Sequence, residues 1–169
     1  MEFDRTIRLP YFNKRKLPID SVVIHYISAK YTCPDNPFST EEIINILHKY
    51  KLSYHYLITR RGHIFELVDP RKRAWHAGVA NLYGVTDVNS CSIGTAYIGI
   101  HEESPTNEQY HAIAKTIPEI IPYNRVVGHD MVSGDWVRGT GEGKVDPGPN
   151  FDWLYFFSVL SSYTLTTIS

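Results

Sequence analysis

The feature that most constrains this chain is an alternation. Apolar, β-branched runs of strand length are separated by stretches whose apolar residues recur at helical spacing. Ser21-Val22-Val23-Ile24-His25-Tyr26-Ile27 reads as a buried strand, closed by polar Ser28 and a loop punctuated by Pro34 and Pro37. Ser39-Thr40-Glu41-Glu42 has the form of a capping box, with Ser39 as N-cap and Glu42 reaching back to it. Behind it Ile43, Ile46, Leu47 and Tyr50 fall on one helical face. Segments 54–59 and 63–68 flank Arg60-Arg61-Gly62 as a β-hairpin. A long irregular segment covers 69–90, and a second apolar run covers 93–100. Thr106 caps a helix carrying Tyr110, Ile113, Ala114 and Ile117 on one face, stopped by Pro118 and Pro122. A short strand over 125–128 and a closing helix over 151–160 complete the pattern. Strands and helices alternating around one hairpin predict an α/β fold: a mixed central β-sheet flanked by helices. At 169 residues the simplest organisation is a single domain over 1–169, with its core at about 20–157.

Composition mainly excludes. A formal net charge of -1 leaves no broad electrostatic footprint for nucleic acid. No apolar run is long enough to cross a bilayer, so no membrane insertion is expected. The opening MEFDRTIRLPYFNKRK mixes acids and bases and lacks the apolar core of a secretory signal, which predicts a cytoplasmic chain. Cys33 and Cys91 have no metal or redox spacing and read as free thiols. Twelve Tyr, seven Phe and three Trp are enough to line a groove as well as a core.

The chemistry concentrates where strands end. His25 and His129 each follow β-branched residues at the C-terminal end of a predicted strand, the edge where open α/β sheets gather functional groups. Asp146 lies in the Pro/Gly-stiffened turn Lys144-Val145-Asp146-Pro147-Gly148-Pro149. Two imidazoles and a carboxylate are a donor set for a catalytic zinc that keeps one position open. Taken singly, each histidine is more often a hydrogen-bonded structural residue than a ligand, and only the set raises the metal reading. Lys144, two before Asp146, can face a developing oxyanion, or it can be a solvated lysine. Tyr54 begins a predicted strand beside His55 and can either hydrogen-bond a water near the metal or simply pack. Trp75-His76 sits in a small-residue loop, as a substrate wall or a loop anchor. His101-Glu102-Glu103 reads as a solvated strand end, and His48, His63 and His111 are given no role.

The order of Val23-Ile24-His25, Ser53-Tyr54-His55, Arg73-Ala74-Trp75-His76-Ala77-Gly78, Asn89-Ser90-Cys91-Ser92-Ile93-Gly94, Val127-Gly128-His129 and Lys144-Val145-Asp146-Pro147-Gly148-Pro149-Asn150-Phe151-Asp152-Trp153 resembles a known family. It is that of the zinc-dependent N-acetylmuramoyl-L-alanine amidases, which includes AmpD-like enzymes, phage lysozyme-type amidases and peptidoglycan recognition proteins. The resemblance covers roughly 20–157. It implies a hydrolase of the amide joining N-acetylmuramic acid to L-alanine in peptidoglycan or muropeptides. It places zinc on His25, His129 and Asp146, the oxyanion-stabilising lysine on Lys144, and a histidine of the substrate groove on His76, next to Trp75. AmpD-like members carry a general-base glutamate where this sequence has Ala96. That departure leaves three readings open: a copy inactivated at Ala96, a phage-type amidase using Tyr54, or a peptidoglycan-binding module without turnover. A muropeptide-recycling enzyme and a phage endolysin, which acts on the wall after waiting in the host cytoplasm, remain equally open.

Overall fold

The computed structural model describes residues 3–139 and 141–165, with side chains to 163. Among these the elements run β1 (Phe12–Lys14), β2 (Ser21–Ile27), α1 (Thr40–Tyr50), β3 (Tyr56–Ile58), β4 (Ile64–Glu66), β5 (Lys72–Ala74), α2 (Val88–Cys91), β6 (Ser92–Ile98), α3 (Asn107–Lys115), β7 (Val126–Gly128), α4 (His129–Ser133), α5 (Asp135–Arg138) and α6 (Trp153–Leu165). Five strands form one sheet in the order β4-β3-β6-β2-β7. Only β4 runs antiparallel to its neighbour; β3, β6, β2 and β7 are mutually parallel. The expected mixed α/β sheet is what the chain forms.

The two long strands owe their central place to burial on both faces. Val22 and Ile24 of β2, with Ile93 and Tyr97 of β6, pack into a cluster with Ile113 of α3 and Phe156 of α6. The alternate residues Ala96 and Ile98 face the other way, onto Ile43 and Leu47 of α1. That alternation is the two-residue period of a strand. In register, His25 stands opposite Ala96 and Ile24 opposite Gly128. The C-terminal ends of three parallel strands therefore meet at one edge, and His129 follows directly from β7.

Local chemistry explains the boundaries. Ser39 Oγ accepts the Glu42 N–H at 3.2 Å, capping α1, but Glu42 does not complete a box: its carboxylate takes Asn45 Nδ2 at 3.4 Å. The full capping box is at α3, where Thr106 and Gln109 bond each other's backbone N–H. Tyr50, expected on the buried stripe, is 61% exposed, because α1 ends there and the chain turns through Lys51 in the left-handed region. The hairpin is shorter than predicted. Tyr54 precedes β3 rather than beginning it, because the Ser53 N–H is taken by the Trp75 carbonyl and the His55 N–H by the Gly94 carbonyl. Within the segment read as irregular, β5 pairs antiparallel with β1, and α2 leads into β6. The packed core also reaches beyond 20–157, to Leu9 on one side and Val159 and Leu160 on the other. Cys33 and Cys91 are free thiols. No helix among the described residues is long and apolar enough to cross a membrane.

Candidate metal centre

His25 projects from β2, His129 opens α4, and Asp146 comes from the turn that follows the Gly-rich loop. One ligand atom from each lies within 4.8 Å of the others. Both rings present Nδ1 to the carboxylate. His25 Nδ1 is 3.0 Å from Asp146 Oδ2, and His129 Nδ1 is 3.1 Å from Oδ1. The ring centroids of His25 and His129 are 4.4 Å apart. The turn is held in place by backbone bonds from the Asp130 N–H to the Asp146 carbonyl, 2.8 Å, and from the Lys144 N–H to the Ser133 carbonyl, 2.8 Å. The Tyr97 hydroxyl donates to the Pro147 carbonyl at 3.3 Å, fixing the turn to β6.

His25 is fully buried and His129 is 5% exposed. Burial, with the neighbouring His129, pushes the His25 pKa down to about 4, so the ring is neutral at pH 7. Burial alone would raise the Asp146 carboxyl; its contacts with the His129 and His25 rings outweigh that and hold the group ionised well below the usual carboxylate range. Neutral imidazole and ionised carboxylate are the forms that bind a metal. Two nitrogen donors and a hard oxygen donor, with the fourth side open to a cleft, fit zinc.

The cleft encloses about 300 Å³. Tyr26, Tyr54, His76, Arg138 and Lys144 line it together with His129 and Asp146. Tyr54 is buried, its ring 5.0 Å from that of His25, and burial raises its pKa, so it is a neutral phenol. Ala96 stands in register beside His25 on the same face of the sheet, fully buried, and brings no polar atom to the position. His76 edges the cleft, but both of its ring nitrogens face protein groups: Nδ1 meets His25 Nε2 at 3.1 Å and Nε2 meets Ser92 Oγ at 3.3 Å. Trp75 is not among the cleft-lining residues. Its indole N–H donates to Asn13 Oδ1 at 2.6 Å, and its ring lies 6.2 Å from Tyr11. Of the residues given no role, His63 bonds Asp4, His48 bonds the Tyr11 hydroxyl and His111 bonds the Tyr163 hydroxyl. Glu102 and Glu103 pair with Lys30 and Arg60.

Sequence reasoning missed Arg138 and Asn89. Arg138 follows no motif; the short helix α5 brings it over the cleft, where its Nε–H donates to Ser133 Oγ at 3.0 Å. Asn89 did stand in a quoted motif, but without a role. Its Oδ1 accepts the N–H groups of both His76 and Ala77, at 3.0 and 2.8 Å.

The chain is also similar to known proteins in sequence and fold. Residues 15–149 match the family described as N-acetylmuramoyl-L-alanine amidase. The 1,6-anhydro-N-acetylmuramyl-L-alanine amidase AmpD of Haemophilus influenzae is 33% identical over 179 residues, covering 91% of this chain and 90% of its own. A crystal structure of a selenomethionine derivative of AmpD superposes with a TM-score of 0.72 at 29% identity, covering 95% of this chain and 96% of that one. The solution structure of Citrobacter freundii AmpD gives 0.60 at 27% identity, covering 95% and 91%.

Proposed function

Because the chain belongs to the N-acetylmuramoyl-L-alanine amidase family, we propose that it hydrolyses the amide between the lactyl group of N-acetylmuramic acid and the L-alanine of a muropeptide. The observation that carries this reading is the convergence of His25, His129 and Asp146 beneath a cleft that also holds Lys144. Those three residues would hold zinc, which when bound supplies Lewis acidity toward the scissile carbonyl and the attacking water.

The chain's own groups have distinct tasks. The exposed Lys144 ammonium stabilises charge developing on the carbonyl oxygen. Tyr54, neutral and beside His25, orients the attacking water by hydrogen bonding through its hydroxyl, while Ala96 offers no carboxylate to take the water's proton, which passes to solvent and on to the leaving amine. Water adds to the carbonyl carbon, the C–N bond breaks, and the products are the lactyl carboxylate and the free amine of L-alanine. A missing general base costs on the order of 10²–10⁴-fold in rate, so turnover is slow compared with a glutamate-bearing relative. Similarity to AmpD over nearly the whole chain supports a soluble 1,6-anhydro muropeptide as substrate rather than intact wall.

The test is release of L-alanine-terminated stem peptide, read by mass spectrometry, from anhydro-muropeptide and from sacculi, with zinc supplied. Elemental analysis runs in parallel: one zinc per chain is expected, and none in His129→Ala. Zinc retained in His129→Ala would sink the ligand set. Ala96 favours a second reading, muropeptide binding without turnover. Product formed by the parent and lost in Tyr54→Phe supports the tyrosine-assisted enzyme. Product formed only by Ala96→Glu supports a chain inactivated at that position, and binding without product in every variant supports the module.

A further inference from the structure

An imidazole can serve a metal only through a nitrogen that carries a lone pair, and in a neutral ring the proton must then sit on the other nitrogen. Asp146 by itself works against this, since a carboxylate facing Nδ1 of both rings would draw a proton there. What opposes it lies on the outer side of each ring. His129 Nε2 is 3.0 Å from the Ala77 carbonyl oxygen. A carbonyl only accepts, so the proton belongs on Nε2 and Nδ1 is left bare.

His25 Nε2 faces a second imidazole, His76 Nδ1, at 3.1 Å, a contact that could run in either direction. The direction is decided two bonds further out. The Ser92 hydroxyl donates to the Val88 carbonyl at 2.5 Å, which leaves its oxygen to accept from His76 Nε2–H at 3.3 Å. His76 Nδ1 is therefore the bare nitrogen, and it accepts from His25 Nε2–H. His25, His76 and Ser92 are 0%, 6% and 0% exposed, so water competes poorly for these bonds. The loop is itself clamped, because Asn89 Oδ1 accepts the N–H groups of both His76 and Ala77.

We propose that the 76–77 loop is a tautomer lock for the metal centre, the His76 side chain setting His25 and the Ala77 carbonyl setting His129, with Asn89 and Ser92 holding the loop in place. The inference rests on the zinc reading above. It makes His76 a positioning residue, acting through His25 rather than on substrate.

The experiment is zinc affinity by chelator competition, with no activity readout, in the parent, His76→Leu and His76→Asn. Leucine removes the acceptor and is expected to weaken zinc binding about 10- to 100-fold, the usual cost of losing an outer partner of a metal-bound histidine. Asparagine, whose Oδ1 takes the place of Nδ1, is expected to restore most of the affinity. In the zinc-loaded parent, NMR is expected to show a protected imidazole N–H on His25 Nε2 that is lost in His76→Leu. If the leucine variant does not fold, Ser92→Ala carries the test with the same expected direction. A leucine variant that binds zinc as tightly as the parent overturns the lock. So does an asparagine variant as weak as leucine, which would make packing the cause. A parent that takes up no zinc overturns the metal reading, and the lock with it.

Discussion

Gly94→Ala tests this architecture most sharply, because two physical effects predict opposite signs. Gly94 sits within β6 outside the left-handed region, so alanine suits its backbone and would ordinarily stabilise by about 0.4–1 kcal/mol through the unfolded state. The structure predicts the reverse. A Cβ there would fall 2.6 Å from His76 Cδ2 and 2.7 Å from Nδ1, and closer still to Cγ. The ring cannot easily retreat, since its backbone N–H is held by Asn89 and its nitrogens by His25 and Ser92. Overpacking a buried site costs about 1–3 kcal/mol. Pulling His76 away from the His25 Nε2–H adds about 1–3 kcal/mol for a buried donor left unpaired. The expected loss is therefore about 2–6 kcal/mol, which in a domain of this size lowers Tm by roughly 5–20 °C. Urea unfolding of the metal-free variant measures the stability, and chelator competition on the same sample measures a parallel loss of zinc affinity. A variant as stable as the parent, or more stable, with zinc affinity intact would refute the reasoning, since the His76 ring would then be free to shift without consequence.

Three further outcomes are expected. Burial lowers the His55 pKa to about 4, so below pH 6.5 the unfolded chain takes up a proton that the folded one refuses. His55 should contribute about 3 kcal/mol to the fall in stability between pH 6.5 and pH 4, beside the fall that the similarly lowered His25 brings over the same range; an equal slope in urea titrations of His55→Asn, which keeps an acceptor for the Gly94 N–H, would assign the loss elsewhere. Arg138 lines the cleft with no carboxylate partner among the described residues, so Arg138→Ala should raise KM about tenfold for an acidic stem peptide and leave kcat nearly unchanged; a matching fall in kcat would place Arg138 in the chemistry instead. Chelating the metal from protein kept at a thousandfold excess of zinc over Kd should remove about 4 kcal/mol of stability, visible as a lower Tm that cobalt or zinc restores and that His129→Ala does not show.

The parts legible in the sequence are those whose signal is local. The five apolar residues around His25 (Val22, Val23, Ile24, Tyr26 and Ile27) read as a strand buried on both faces, and they form an inner strand of the sheet. The two histidines and the aspartate that the structure brings together stood out by position, at strand ends and in a stiffened turn. The β1–β5 ribbon was not legible, because Phe12-Asn13-Lys14 and Lys72-Arg73-Ala74 are short and mostly exposed and their pairing spans some sixty residues of chain. Arg15 shows the same blindness. It reads as one more surface cation, yet its guanidinium donates to the carbonyls of Asn89, Ser90, Ser92, Pro70 and Lys72, joining the ribbon to the start of β6. Trp75, in a motif chosen for its substrate-facing chemistry, packs beside Tyr11 instead, because neighbours in an extended loop point in opposite directions.

The arrangement along β6 bears on what this chain would do with the proposed metal centre. Gly94 and Ala96, two apart, share one face of the strand and meet the site in different ways. Gly94 leaves the room in which His76 reaches His25, so it serves metal holding. Ala96 stands beside His25 with a methyl group, so on the proposed reading no carboxylate is there to handle the water's proton. Everything that fixes the two histidines and Asp146 is present: the Ala77 carbonyl, the His76–Ser92 relay, the Asn89 clamp and the backbone bond from Asp130. A chain that needed only the fold would have no use for two buried histidines aimed at one carboxylate, because burying polar groups is costly and apolar residues pack there more cheaply. On the zinc reading proposed above, metal holding and proton handling are separable: His25, His129 and Asp146 would serve the first, and Ala96 leaves the second without a carboxylate.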